Sequence, residues 1–402
     1  MDPQKAGRDL NVQAVLTGRV VERDGALNIQ ADLVSVDDGS QLWGRQYSRK
    51  FSDILTLQDE IAREVSEKLG LRSTVEQQKR LAKRSTENTE AYQLYLKGRY
   101  YWNRRTAQTL KRAVEYFQQA IDKDPGYALA YAGLADCYAL YPNYQVESPR
   151  DSGPKAKAAA TRALEIDNTL AEAHASLAWT LMQYEWDWAG AEREFQRSIE
   201  LDPNYPTAHH WYGICLAATG RTGQAIASMK RAQQLDPLSM IINAGVGLEL
   251  YFARRYDEAI EQIRKALEMD PNFAEGHRYL GMAYEQEAMY REAIAEFQKA
   301  FELSGGSPSM LGFLGHAYAL SVNRGKALRA IADLDELSKR RYVSPSNTAV
   351  IYTGLGDKER ALEWLEKALD DRSYDVIRLK VDPRLDGLRA DRRFANLLRR
   401  MG

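Results

Sequence analysis

Cysteine is almost absent: Cys137 and Cys215 are the only two in 402 residues. That excludes a disulfide framework and any zinc site of the CxxC type, and it leaves the redox compartment open. Proline is also sparse, at 12 residues, too few for a proline-rich linker protein. No sign of charge prevails, since 55 basic side chains meet 56 acidic ones, so no overall field gathers a polyanion such as DNA or an anionic membrane. No apolar run approaches the ~18 residues of a membrane span, and the opening MDPQKAGRDLNVQ lacks the apolar core of a signal peptide. As written, the chain is expected to be soluble and to carry no address, which fits a cytoplasmic location or a periplasmic one beyond a membrane anchor.

Catalytic signatures are missing too. There is no GxxxxGK[ST] loop, no HExxH, no HRD with DFG, and no GxSxG elbow. Gly354 to Lys358 (GLGDK) reads as a turn between two helices. Neither a catalytic residue, a cofactor nor a metal is expected.

What the chain does contain is a period. Ala191, Ala225, Ala259, Ala293, Ala327 and Ala361 recur every 34 residues, Gly213, Gly247, Gly281 and Gly315 keep the same step, and Pro203, Pro237 and Pro271 form a third column. A fixed period of this length means stacked supersecondary units. Leu280, Gly281 and Tyr284 lie on one helical stripe, and the small Gly281 and Ala293 allow two helices to approach closely. Asp-Pro at 124–125, 202–203, 236–237 and 270–271 stops the second helix of a unit, because a residue before proline avoids the α region. Two looser units precede Ala191. One is interrupted by a long loop, Leu140 to Pro154, and the other contains Leu94, Gly98, Tyr101, Ala113 and Phe117.

The unit pattern, W-x2-L-G-x2-Y followed by A-x3-F-x2-A-x4-P, resembles the tetratricopeptide repeat (TPR). The resemblance implies a mainly α fold: a right-handed TPR superhelix (α-solenoid) of about eight helix pairs over 89–371, with 372–402 as a closing amphipathic helix in which Leu388, Phe394, Leu397 and Leu398 cover the last pair.

Residues 1–72 read differently, as a small α/β segment. VQAVLTGRVVE and ALNIQADLVSV suit two strands joined by RDG, QLWGRQYSR suits a third, and SDILTLQDEIAREVSEKLG suits a helix capped by Ser52 or Asp53 and stopped by Gly70. Three strands and a helix make an incomplete sheet. Residues 73–88 read as a helical connector whose basic cluster, Lys79, Arg80, Lys83 and Arg84, is a solvated face.

The order AVLTGRV, DGSQLW, SDILTLQDEIA, EAYQLYLKGRYYWNRRT and then the repeats resembles the carboxy-terminal half of bacterial multidomain signalling proteins. In those, a TolB-amino-terminal-like α/β domain and TPRs follow a serine/threonine kinase, an adenylate cyclase or a winged-helix regulator. Such a resemblance implies a non-catalytic module that docks a protein or peptide, with no nucleic acid and no membrane insertion. Two alternatives stay open: an unrecognised enzymatic or DNA-binding activity in residues 1–88, and a purely structural scaffold.

If the first helix of each pair lines a concave groove, as TPR proteins imply, its stripe contains Trp179 and Met182, then His210 and Ile214, then Leu248, Tyr251 and Phe252, then Arg278, Met282, Glu285 and Gln286. This groove is expected to be largely apolar and aromatic, and to lack the lysine and asparagine clamp for a peptide carboxylate. His174, His209 and His277 share one repeat position and read as packing residues rather than metal ligands. His210 and His316 fall in the groove register and read as exposed. Cys137 and Cys215, two units apart, read as buried hydrophobes too distant for a bridge.

Overall fold

A computed structural model describes residues 2–9, 12–23, 26–50, 54–68 and 85–402. The RDG turn beyond Arg23, the caps Ser52 and Asp53, the stop Gly70 and the basic cluster of 79–84 lie outside the described residues. By its internal contacts the chain divides into two units, Met1–Gln93 with Asp122–Pro125, and Leu94–Ile121 with Gly126–Gly402.

In the first unit, strands β1 (Ala14–Arg23), β2 (Ala26–Ser35) and β3 (Gln41–Lys50) form an antiparallel sheet in the order β1-β2-β3, with an irregularity at Leu33/Val34. The period of two decides which side chains are covered. Ala31, Leu33, Trp43 and Tyr47 pack on Leu57, with Ile61 and Val65 beside it. These three residues sit four apart on the helix Ile54–Lys68, so they share one face. Its acidic flank meets the strand: Tyr47 donates to Glu64 at 3.3 Å, and Arg49 reaches Glu60 at 3.4 Å.

The second unit is built of helix pairs. Among the described residues there are eight: 89–103 with 107–123, 128–140 with 149–166, 171–180 with 188–201, 206–218 with 222–235, 240–252 with 256–269, 274–286 with 290–303, 308–320 with 324–338, and 345–354 with 358–370. The mainly α, right-handed TPR superhelix that the resemblance implies is therefore the fold. Asp202, Asp236 and Asp270 end their helices in extended or non-helical conformations, as the Asp-Pro rule requires. Gly281 marks one such close approach: a Cβ added there would sit 2.7 Å from the Phe297 ring.

The two helices of a pair bury very different amounts. In Met240–Phe252 eleven residues are buried, whereas in its partner Tyr256–Met269 only Ala259, Ile263 and Ala266 are. The second helix is amphipathic and faces solvent on its outer side. The first is buried nearly all round, so it is covered on both sides.

Beyond Asp371 the chain does not continue as one helix. It turns at Arg372 (φ 57°), makes two 3-10 turns, Tyr374–Arg378 and Pro383–Leu388, and only then forms the short helix Arg392–Arg399. Leu388, Phe394 and Leu397 do pack, with Leu398, on Leu365 and Leu369 of the last pair. The 372–388 stretch, whose Val376, Leu379, Leu385 and Leu388 share that core, also reaches along the inner face of the array, where Tyr374 meets Trp179 and Arg378 meets Glu249. A single closing helix would have left that face bare.

Candidate functional site

The inner face is formed by the first helices of the pairs, and the carboxy-terminal stretch lies on it. Trp179 stacks with Tyr374 (centroids 6.2 Å, 23°), and the Arg378 guanidinium lies 4.1 Å above the ring of Phe252. Arg378 also pairs with Glu249 at 2.8 Å, with both side chains buried. Farther along, Arg384 pairs with Asp382 at 2.6 Å and covers the ring of Phe313 at 4.6 Å. Lys380 donates to the carbonyl of Thr219 at 3.1 Å, and Arg254 meets Asp386 at 2.8 Å.

The array also closes on itself. The long loop after Leu140 sends Gln145 to the last pair, where its Oε1 accepts from the Ser344 amide (3.3 Å) and the Asn347 side chain (3.2 Å). Trp188 donates to the carbonyl of Met401 at 2.8 Å, and Arg150 to that of Asp370 at 2.8 Å. At the third pair the helix widens into a single π turn, Leu181–Glu185, ending at Trp186 with φ 58°. A bulky residue rarely adopts that conformation. Here the Arg372 guanidinium, 4.4 Å above its ring, holds the side chain against the returning chain.

The residues expected in the groove divide accordingly. Trp179, His210, Ile214 and Arg278 line one central cavity of about 50 Å³. Leu248, Tyr251, Phe252, Met282 and Glu285 are buried away from it, and Gln286 is half-buried. Arg278 is bound to Glu275 (Nε to Oε2, 2.9 Å), lies 4.5 Å over the Tyr279 ring and touches the Met282 sulfur at 3.8 Å. The hydroxyl of Tyr251 is buried without a hydrogen-bond partner among the described residues.

Two histidines differ from expectation. His210 is 6% exposed and His316 1%, because the returning chain and neighbouring pairs cover their register. Burial pushes His210 down to about 3, with Arg105 and Arg378 adding to the effect. His316 Nδ1 lies 3.0 Å from Glu285. Of the other three, His174 and His277 are half-buried and His209 is buried, and each links its helix to the preceding turn: His277, for example, joins Glu296 at 2.6 Å and the Pro271 carbonyl at 2.9 Å. Cys137 and Cys215 are buried and free.

The face is also more charged than an apolar groove. Asp136 is buried between Arg99 (2.9 Å) and Ser176 (2.5 Å), and desolvation holds its carboxyl above the usual range. Glu249, Asp136 and Arg105 were not singled out from the sequence. For Glu249 a signal existed, because it is the one acid in the run IINAGVGLELYF. Its partner lies 129 residues away, and no local pattern names it. Among the described residues, no group of three or more His, Cys, Asp or Glu side chains comes together as a metal site requires, and no helix is long and apolar enough to cross a membrane.

Family models described as tetratricopeptide repeats match residues 194–227, 247–308 and 347–370. With the helix-pair geometry and the period of 34, these matches identify the second unit as a TPR array. In sequence, the chain is 29% identical over 182 residues to a Rhizobium meliloti protein named "Putative adenylate cyclase 3". That match covers 45% of this chain and 31% of the relative, so the shared part is under a third of that protein's length. Among solved structures, Pseudomonas aeruginosa pilF is 20% identical with a TM-score of 0.38, covering 58% of this chain and 97% of that one. YrrB, titled a TPR protein with an unusual peptide-binding site, is 21% identical with a TM-score of 0.31, covering 48% and 94%. A human IFIT1 dimer with PPP-AAAA is 18% identical with a TM-score of 0.48, covering 66% and 69%.

Proposed function

We propose that the chain is a non-catalytic module that docks an extended protein segment on the inner face of its TPR array, as the docking or sensing part of a bacterial signalling protein. TPR arrays are protein-interaction scaffolds, which supports the coarser half of this reading. The observation that carries the finer half is the seating of Tyr374–Leu388 on that face: a short polypeptide in 3-10 turns finds an aromatic stack on Trp179, a cation site over Phe252 and a buried acid in Glu249. An external segment of similar character, with an aromatic residue and an arginine four apart, would find the same groups by displacing the tail. The cyclase-named relative supports the signalling context.

The test compares three baits in the native lysate: wild type, Tyr374→Ala with Arg378→Ala to loosen the tail, and Tyr251→Ala with Met282→Ala to damage the face. A groove partner is recovered in greater amount by the loosened bait and less by the damaged one. Equal recovery by all three places docking elsewhere on the molecule.

A further inference from the structure

The lining of the central cavity holds two groups of opposite charge, Arg105 and Asp375, that have no ion pair or side-chain hydrogen bond among the described residues. Arg105 follows the first helix of the array in the left-handed region (φ 53°) and is 7% exposed. Its guanidinium lies 3.6 Å above the Trp102 ring, and its Nε is buried with no hydrogen-bond partner among the described residues. The acid that acts on it electrostatically, Asp136, is already held by Arg99 at 2.9 Å and by Ser176.

The same lining contains Asp375, on the 3-10 turn of the returning chain. Three arginines bear on it: Arg384, Arg278 and Arg378. Each is paired with another carboxylate: Arg384 with Asp382, Arg278 with Glu275, and Arg378 with Glu249. Asp375, half-buried in that lining, makes no side-chain hydrogen bond or ion pair of its own among the described residues. Burial raises its pKa, as expected for a carboxylate with no partner of its own.

A buried guanidinium and a half-buried carboxylate, each without a partner among the described residues, are costly to maintain. A ligand that carries the complementary charge to each relieves both costs at once. A planar carboxylate matches the arginine fork, and an ammonium matches Asp375 with the ring faces of Trp179, Trp211 and Tyr374, which line the same space. A dianion would satisfy Arg105 and be repelled by Asp375, and a simple amine would do the reverse. We propose that this cavity binds a small zwitterion of the α-amino-acid class, with its carboxylate on Arg105 and its ammonium on Asp375. A volume of about 50 Å³ favours the smallest members.

Calorimetric titration and thermal denaturation of the full chain test this with glycine, L-alanine and L-serine, against propionate and ethylamine. At least one amino acid binds and raises the melting temperature, while propionate and ethylamine bind at least about tenfold more weakly. Arg105→Gln and the near-isosteric Asp375→Asn each weaken amino-acid binding by at least about tenfold, with the circular dichroism spectrum unchanged. The proposal is overturned if none of the three amino acids binds, if propionate binds as well as alanine (a simple anion site), or if neither substitution changes the affinity. The docking reading stands apart, since its baits leave Arg105 and Asp375 intact.

Discussion

Arg378 and Glu249, 129 residues apart in sequence, meet as a buried ion pair with Nη2 2.8 Å from Oε1. The pair joins the returning chain to the fifth helix pair. Removing one partner leaves the other charge buried and uncompensated, so Arg378→Met alone is expected to cost about 3–5 kcal/mol. Arg378→Met combined with Glu249→Leu should recover most of that loss. Urea denaturation of the two singles and the double measures the coupling, and additive single losses would show that the pair is not held as described.

The neutral state of His210 makes the fold sensitive to acid. Its folded pKa, about 3, lies below the ordinary value of 6.5, so below 6.5 the unfolded chain takes up a proton that the folded chain does not. Stability from this residue is therefore unaffected above pH 6.5 and falls as pH drops toward 3, by about 1.4 kcal/mol per unit once well below 6.5. His277, whose folded pKa is raised by Glu296 against desolvation, works in the opposite sense: it stabilises below 6.5 and loses this as pH rises through its folded value. The difference in stability between wild type and His210→Leu, measured from pH 7 to pH 4, isolates the first effect. A difference that stays constant across that range would contradict it.

Gly281→Ala should destabilise even though alanine is the better helix former. The new methyl would stand 2.7 Å from the Phe297 ring, and overpacking of this kind costs about 1–3 kcal/mol, more than the ~1 kcal/mol gained in propensity. Gly325→Ala, with nothing within 4 Å, is the control and should be neutral or slightly stabilising. Thermal melts of both variants decide the matter.

Deleting residues 372–402 should expose more than the last pair. Hydrogen exchange is expected to rise in 345–370, which loses the Leu388 and Phe394 cover, and also in 171–180 and 240–252, which lose Tyr374 and Arg378. Faster exchange confined to 345–370 would mean that the inner-face contacts add little.

The two thiols should resist reagents in the native state. Both are buried, and burial pushes Cys215 up to about 12 and Cys137 well above its ordinary value. A chromogenic disulfide should titrate none at pH 8 in buffer and two in guanidinium chloride.

The array was legible because each of its determinants is local. The 34-residue step, the Asp-Pro stops and the close approach at Gly281 all act within one unit or between neighbours. Of the residues expected on the inner face, Trp179, His210, Ile214 and Arg278 line one cavity. What covers that face was not legible. Val381-Asp382-Pro383 and the arginines around it resemble an ordinary polar tail, and only their distant partners, Glu249, Phe252 and Phe313, give them a place. His210 and His316 were misread as exposed for this reason.

The Gln145 contact to Ser344 and Asn347 bears on how the chain acquires its structure. An open solenoid can grow from any unit and fray from either end, with each repeat answering only to its neighbours. A bond spanning about 200 residues, made again by Trp188 and Met401, joins the start of the array to its finish. Closing so long a segment is slow, because its entropy must be lost before the contact forms. Folding should therefore end with a distinct late step, and unfolding should lose the repeats together rather than one by one.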